Sequence, residues 1–468
     1  MRIIGGCLVA LALGLLQPPI ATAQEPHVPS AAVPPKPLVS AENVFHEWLA
    51  AFNSGEKSAI KSFYAKHLSD PEARFPLDLA IMSCGFDPVR IESRTRSNIK
   101  VLLIERCFPA LQRLTIELGA EGETKLAKFN LSPFAMPVET ANNYITSFAD
   151  RLEQRGEFAG SLLLIQNDVP QVTRGWGTAN ENSKARITSD TPMFLASAGK
   201  MFTAVSVLQL VETGKIDLDA PLGTYLTDYP NAEMAQVTIR QLLQHRGGTG
   251  DIGILARGEG DNRARARTIA DIIALNGNRA PTFAPGTRME YSNYGFLLLG
   301  AVVERVSGQS YYDYVEDHVF KPAGMTHASF PNLDHLNGIA TGQTTFYGDE
   351  DKLVSNLSVL PWKGTPAGGG VASANDMHKF IDALRSGKLL SPAMFQLART
   401  PSETPWYGMG FILPSLSDAY WGHGGQSYGM DVATYYATGF NAHFICLSTR
   451  DWGCTRLMAA WRITGLTQ

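Results

Sequence analysis

The sequence predicts an α+β protein, a small helix-then-strand unit followed by a much larger mixed α+β unit. Three observations carry that prediction. Two apolar stretches at helical spacing precede β-rich runs before residue 132; beyond residue 138 helical and strand-like segments mix to the end of the chain; and 44% hydrophobic residues among 468 supply more than one core. With 18% charged residues and a formal net charge of −4, disorder is excluded. A balance of 40 Lys+Arg against 44 Asp+Glu leaves no positive surplus to neutralise a nucleic-acid backbone.

Residues 1–23 read as a secretory signal: Arg2, an apolar stretch from Ile3 to Leu16, and the small-x-small end Ala21-Thr22-Ala23. Gln17, Pro18 and Pro19 stop the run short of the ~20 apolar residues needed to span a bilayer, so no stable membrane span is expected. The expected location is secreted or periplasmic. Cys84, Cys107, Cys446 and Cys454 then remain as two local pairs, compatible with disulfides Cys84–Cys107 and Cys446–Cys454, although four cysteines allow three pairings. No C-x-x-C and no H-E-x-x-H occurs, so neither a metal nor a cofactor is expected.

Five prolines between residues 24 and 38 mark an extended tether. Ser40 then caps a helix whose Val44, Phe45, Trp48, Leu49 and Phe52 share a face, closed by Asn53-Ser54-Gly55. A second short helix turns Ile60, Phe63 and Tyr64 inward. Ile99 to Glu105 is strand-like, Leu114, Ile116 and Leu118 alternate with polar residues, and residues 119–122 turn into a strand over 125–131. This small α+β unit covers residues 39–132. The larger unit, residues 138–468, opens with a helix carrying Val138, Ala141, Ile145, Phe148 and Leu152, then a strand over 160–166. Helices are expected around 198–213, 294–306 and 374–385, strands near 408–413, 432–436 and 443–448, and a last helix from about Thr455.

Chemistry concentrates in the larger unit. Ser197-Ala198-Gly199-Lys200 leads into an apolar helix, which puts Lys200 one turn beyond Ser197 on the same face. A serine hydroxyl is a poor nucleophile at neutral pH and needs an adjacent base, and a desolvated lysine can serve as one. Ser-x-x-Lys alone is weak, since it recurs at Ser54, Ser58 and Ser97. Ser197 differs in its company. Tyr291-Ser292-Asn293 opens another apolar helix, and Tyr291 is expected to join a proton network with Ser197 and Lys200, its phenol pKa lowered by the ammonium. Asn293 is expected to hold Lys200 or a substrate amide. In Gly422-His423-Gly424-Gly425 small residues let a strand edge approach an acyl substrate, where backbone N–H groups complete an oxyanion hole.

In this order Ser-x-x-Lys, Tyr-x-Asn and His-Gly-Gly resemble the serine β-lactamase and penicillin-binding-protein superfamily, specifically its class C-like branch, with family VIII esterases, D-alanyl-D-alanine carboxypeptidases and D-aminopeptidases. The stretches FLASAGKMFTAVSVLQLVETGKIDLDAPLGTYL, TIRQLLQHRGG, FAPGTRMEYSNYGFLLLG and TPAGGGVASANDM are similar to that branch. The resemblance implies an antiparallel sheet flanked by helices plus a helical subdomain. It also implies Ser197 as acylated nucleophile, Lys200 and Tyr291 as shared base and acid, and Asn293, His423, Gly425 and Gln426 as substrate-orienting, with the N–H groups of Ser197 and Gln426 as the oxyanion hole. His423 stands where class C β-lactamases usually carry a lysine that helps bind the β-lactam carboxylate, which puts efficient β-lactamase activity in doubt. Two helices followed by a sheet, opening with Trp48-Leu49-Ala50-Ala51-Phe52-Asn53-Ser54-Gly55, likewise resemble the cone-shaped nuclear transport factor 2 type, read as an accessory module.

Three decoys are set aside. Gly425-Gln426-Ser427-Tyr428-Gly429 matches a nucleophile elbow, but a strand-like segment rather than a helix follows Ser427. Gly368-Gly369-Gly370 lacks the Lys-Ser or Lys-Thr of a phosphate loop, and His245 reads as a structural turn residue. The expected function is an exported, metal-independent serine hydrolase acting through an acyl-enzyme on a small-molecule ester or on a peptide or amide bond. A D-alanyl-D-alanine carboxypeptidase or D-aminopeptidase, then a β-lactamase, are the alternatives. A catalytically silent cell-wall-peptide binder is the reading of another class, and the intact set Ser197, Lys200, Tyr291 and Asn293 argues against it.

Overall fold

The computed structural model describes residues 39–68, 85–106, 111–119, 125–133, 138–180, 184–251, 266–346, 352–413 and 420–463. The expected signal, the tether and the Cys84–Cys107 pair lie outside them. Cys446 and Cys454 are joined by a disulfide.

Residues 41–133 form helices α1 (Ala41–Asn53) and α2 (Lys57–His67) and strands β1 (Phe86–Arg94), β2 (Asn98–Glu105), β3 (Leu111–Leu118) and β4 (Leu126–Pro133). The strands pair in chain order as one antiparallel sheet. Ser40 caps α1 by accepting the Asn43 N–H at 3.2 Å. The α1 face that the periodicity marks is buried: Trp48 and Phe52 pack on Phe86 with ring centroids 5.7 and 5.2 Å apart. Strand β1 escapes the sequence pattern because Pro88 and four charged residues break its alternation; it is an exposed edge with two register shifts.

From residue 138 onward the chain forms α3 (Val138–Gln154), β5 (Gly160–Gln166), β6 (Val169–Trp176), α4 (Lys200–Glu212), α5 (Asn293–Ser307), α6 (Ala374–Arg385), β7 (Tyr420–Ser427), β8 (Met430–Ala437), β9 (Ala442–Ser448) and α7 (Gly453–Ile463). Five strands form an antiparallel sheet in the order β7-β8-β9-β5-β6. Interior strand β5 is buried from Gly160 to Ile165 and apolar from Leu162 to Ile165, because both its faces are covered. Leu162 and Leu164 join a core shared with α3 and α7, whereas Leu163 and Ile165 join the core of α4, α5 and α6 on the opposite face.

Helix α4 runs through the middle of that second core, and every residue from Lys200 to Leu208 is buried, as expected of a helix without a polar face. Phe202 meets Phe320 and Phe380 edge-on, with centroids 5.0 and 4.9 Å apart. The segment 408–413 is not the expected strand. Gly410, at φ 81°, folds it into a tight turn closed by Gly408 N–H to Phe411 O at 2.9 Å, and only Ile412 pairs with the sheet. Conversely, the His-Gly-Gly stretch itself lies within a strand, the edge strand β7.

Phe202→Ala is expected to destabilise the protein by about 3–5 kcal/mol, because the ring is wholly buried and its neighbours sit on rigid helices. Urea denaturation reads the loss.

Candidate active site

Ser197 lies in a 3-10 turn, Ala196–Gly199, that feeds directly into α4. Two elements clamp this turn. On one side Gly369 N–H donates to Ala196 O at 3.0 Å and Leu195 N–H to Gly370 O at 3.2 Å. On the other β7 passes so closely that a Cβ on Gly425 would stand 2.7 Å from Ser197 N and 2.5 Å from Leu195 O. Ala196 is held at φ 44°, a left-handed conformation costing an alanine roughly 1–2 kcal/mol. The clamp holds Ser197 in place against that strain.

Lys200 is fully buried, and its Nζ reaches three oxygens: Ser197 Oγ at 3.2 Å, Asn293 Oδ1 at 2.7 Å and the Ala367 carbonyl. Burial lowers its pKa from 10.5 to about 7, with nearby Asp251 pulling the other way. A neutral amine has two N–H groups and one lone pair. Asn293 Oδ1 and Ala367 O can only accept, so they take both N–H groups and leave the lone pair to the Ser197 hydroxyl. Asn293 is oriented by Asp251, whose carboxylate accepts the Asn293 backbone N–H at 3.2 Å and its Nδ2–H at 3.1 Å, which turns Oδ1 toward Lys200.

Tyr291 is placed beside this pair, its ring centroid 4.8 Å from Lys200 Nζ. The expected fall in its pKa is corrected: burial is the largest influence and raises it, Asp251 and Tyr435 raise it further, and the hydrogen bond with Ser197 offsets only part. The phenol is therefore a neutral hydroxyl, able to pass a proton rather than to serve as a tyrosinate.

His423 also departs from expectation. Its side chain is only 1% exposed and is not among the described residues lining the cleft. Nδ1 faces Gly424 O, so it carries the proton, and Nε2 accepts the Tyr407 hydroxyl at 3.3 Å. Burial and Lys200 lower its pKa to about 3. It forms part of an uncharged wall behind Ser197. His245 belongs to the same wall, with its ring centroid 4.1 Å from that of Tyr291 and Nδ1 accepting the Ser292 N–H at 3.1 Å. Burial and Lys200 keep it neutral too.

Gln426 sends its side chain to Asp431 Oδ1 at 3.2 Å and Thr455 Oγ1 at 2.7 Å. Its peptide is oriented by strand geometry. Gly422 exchanges both backbone bonds with Ile412, on the side of β7 away from β8, and peptide groups alternate sides along a strand paired without a bulge. Gln426, two pairs further on, thus presents its N–H to the edge beside Ser197. Ser427, the elbow decoy, ends β7 and is followed by β8 rather than a helix.

A cleft of about 250 Å³ opens over Ser197, bounded by Asn293, Asp251, Gln426 and the Gly368–Gly369 turn, with Leu333, Leu360, Pro361 and Met430 as its apolar wall. Among the described residues lining it there is no lysine or arginine, and Asp251 is the one charged group. Asp251, Ala367 and Tyr407 went unrecognised in sequence. Asp251 lies six residues past His245 with no motif of its own, and Ala367 acts through a backbone carbonyl that any residue would supply.

This serine-centred site on an antiparallel sheet defines the class, and comparison supplies the family. A model described as beta-lactamase matches residues 146–459, well over half of the chain. The chain belongs to that family, whose fold is shared by serine hydrolases. The putative penicillin-binding protein PbpX of Bacillus subtilis (strain 168) is 30% identical over 258 residues, covering 55% of this chain and 62% of the relative. Penicillin-binding protein 4* of the same organism is 26% identical over 292 residues, 59% and 64% of the two chains, so the match spans less than two thirds of these curated relatives. Among solved structures, the penicillin binding protein from Bacillus halodurans is 29% identical with TM-score 0.61, covering 68% of this chain and 98% of that one. The D-amino acid amidase from Ochrobactrum anthropi SV3 shares the fold at 24% identity and TM-score 0.57, covering 69% and 97%. No described helix is long and apolar enough to cross a membrane.

Gly425→Ala is expected to lower kcat/KM by about 100-fold, since β7 can admit the methyl group only by moving away from Ser197. Steady-state kinetics on the folded variant reads it. Lys200→Met tests the buried amine through stability. Between pH 7 and 10.5 the unfolded chain holds a proton at Lys200 that the folded chain does not, so this group makes stability rise with pH across that window. The variant's stability-against-pH slope is expected to be shallower by up to about 1.4 kcal/mol per pH unit there, and parallel to the parent's below pH 7.

Proposed function

We propose that the protein is a serine hydrolase that forms an acyl-enzyme on Ser197 and hydrolyses a small ester or amide with an apolar, uncharged acyl part. One observation carries this reading: the Lys200 lone pair is left facing Ser197 Oγ at 3.2 Å, with its two N–H groups taken by acceptor-only oxygens. Lys200 takes the hydroxyl proton as Oγ attacks the substrate carbonyl. The Ser197 and Gln426 N–H groups hold the resulting oxyanion. The Tyr291 hydroxyl gives its proton to the departing alcohol or amine and is refilled from Lys200. Water, deprotonated by the same amine, then releases the acid.

The cleft supports the choice of substrate. A β-lactam or a D-alanyl-D-alanine peptide presents a carboxylate, and the described lining offers Asp251 and no cation to meet it. Within the family this favours the esterases of the class C-like branch. A second reading, an amidase for amino-acid amides, draws support from the same Asp251, whose charge suits a substrate ammonium; the D-amino acid amidase shares the fold. We read residues 1–23 as a cleaved export signal, and residues 39–132 as a separate accessory module of the nuclear transport factor 2 type.

A fluorescent fluorophosphonate is expected to label Ser197, located by mass spectrometry, and Ser197→Ala to lose label and turnover together; an unlabelled Ser197 in active protein overturns the reading. Across p-nitrophenyl esters, D-amino-acid amides, D-alanyl-D-alanine peptides and a chromogenic cephalosporin, neutral esters are expected to show the highest kcat/KM. The base must be neutral, so kcat/KM is expected to rise along one limb with an apparent pKa near 7. His423, near 3, is uncharged throughout that range.

A further inference from the structure

A second cavity, about 300 Å³, shares Gln426, Ser427 and Met430 with the catalytic cleft and is completed by Phe346, Tyr428, Asp451 and Trp452. Its aromatic side chains are unusual in two ways. Phe346 and Trp452 are 55% and 51% exposed, although each is a large apolar group that water disfavours. Trp452 is also held at φ 61°, a left-handed conformation that is a genuine outlier for a bulky residue.

The surroundings hold that conformation in place. The preceding residue, Asp451, accepts the Gly429 N–H at 2.7 Å, which ties it to the β7–β8 turn. Trp452 O accepts the Arg456 N–H at 3.1 Å as α7 begins, and Cys454 is bonded to Cys446 of β9. The indole is thus presented from a backbone fixed on three sides. Across the cavity Phe346 meets Tyr428 edge-on with centroids 5.7 Å apart, and the Phe346 N–H donates to the buried Thr344 hydroxyl at 3.1 Å. Strain maintained to expose an aromatic beside the proposed oxyanion strand points to a ligand.

We propose that this cavity is a second substrate subsite, in which Trp452, Phe346 and Tyr428 receive an aryl ring of the ester or amide whose carbonyl lies over Ser197. The proposal rests on the hydrolase reading. Rings stack edge-on or offset on aromatic side chains, which a flat group satisfies better than a flexible chain. Asp451 is the one charged residue among the described residues lining the cavity, so the ring is uncharged or cationic rather than anionic. The subsite continues the cleft along β7, so one substrate can occupy both.

The test compares ethyl acetate, which has no ring, with methyl 3-phenylpropanoate and 3-phenylpropyl acetate, which carry it on the acyl and alcohol sides. Two variants are used, Trp452→Asn, which tolerates the left-handed backbone, and Phe346→Ala. For at least one ring-bearing ester each variant is expected to raise KM about tenfold with kcat retained, while kcat/KM for ethyl acetate stays within about twofold. Equal responses of all three esters overturn the subsite. Calorimetric binding of the same esters to Ser197→Ala protein separates the two ideas. Ring-dependent binding that Trp452→Asn removes supports the subsite even if the parent hydrolyses nothing, which would fail the hydrolase reading alone. Hydrolysis without ring-dependent binding fails the subsite alone.

Discussion

The site depends on one ammonium group being kept from water. Lys200 lies at the first turn of a helix with no polar face, inside the core that α4 shares with α5 and α6, and its Nζ meets only three oxygens. A charged amine there loses its hydration for three uncharged partners, and that imbalance drives its pKa toward neutrality. The same burial is unfavourable for folding whenever the amine is protonated.

The neighbours follow from that constraint. A second cation beside Lys200 would be strongly unfavourable, and both nearby histidines are neutral, held so by burial and by Lys200 itself. Tyr291 shares the dry surroundings and keeps its proton. Asp251, the carboxylate among the described residues of the cleft, is exposed to solvent; it orients the Asn293 amide toward Lys200 and its charge offsets part of the fall that burial imposes on the amine's pKa.

Much of this was legible in the chain because its pieces are local. The α1 stripe, the solid apolar runs of β5 and α4, and the Ser197–Lys200 spacing each depend on a few consecutive residues whose periodicity states which face is buried. Where the sequence misled, a single turn residue or a distant partner had taken over. The run 408–413 looks like a strand, but Gly410 turns it back. The small residues of the His-Gly-Gly stretch admit a close approach, as read, but what β7 approaches so closely is the Ser197 turn itself. His423 reads as a substrate contact by its place in a motif, while Tyr407 draws it into the wall.

The residue types alone determined a large apolar core, a serine with a lysine one turn away, and a tyrosine and asparagine opening a second helix. Those are properties of composition and short-range periodicity. The tertiary structure decided which groups are charged and where each hydrogen bond points. The direction of the Lys200 lone pair follows from two carbonyl oxygens contributed by Asn293 and Ala367, far away in the chain. The neutrality of His423 and Tyr291 follows from their burial in the folded chain. Protonation state and bond direction are set by what surrounds a group in three dimensions, and no window of neighbouring residues contains that information.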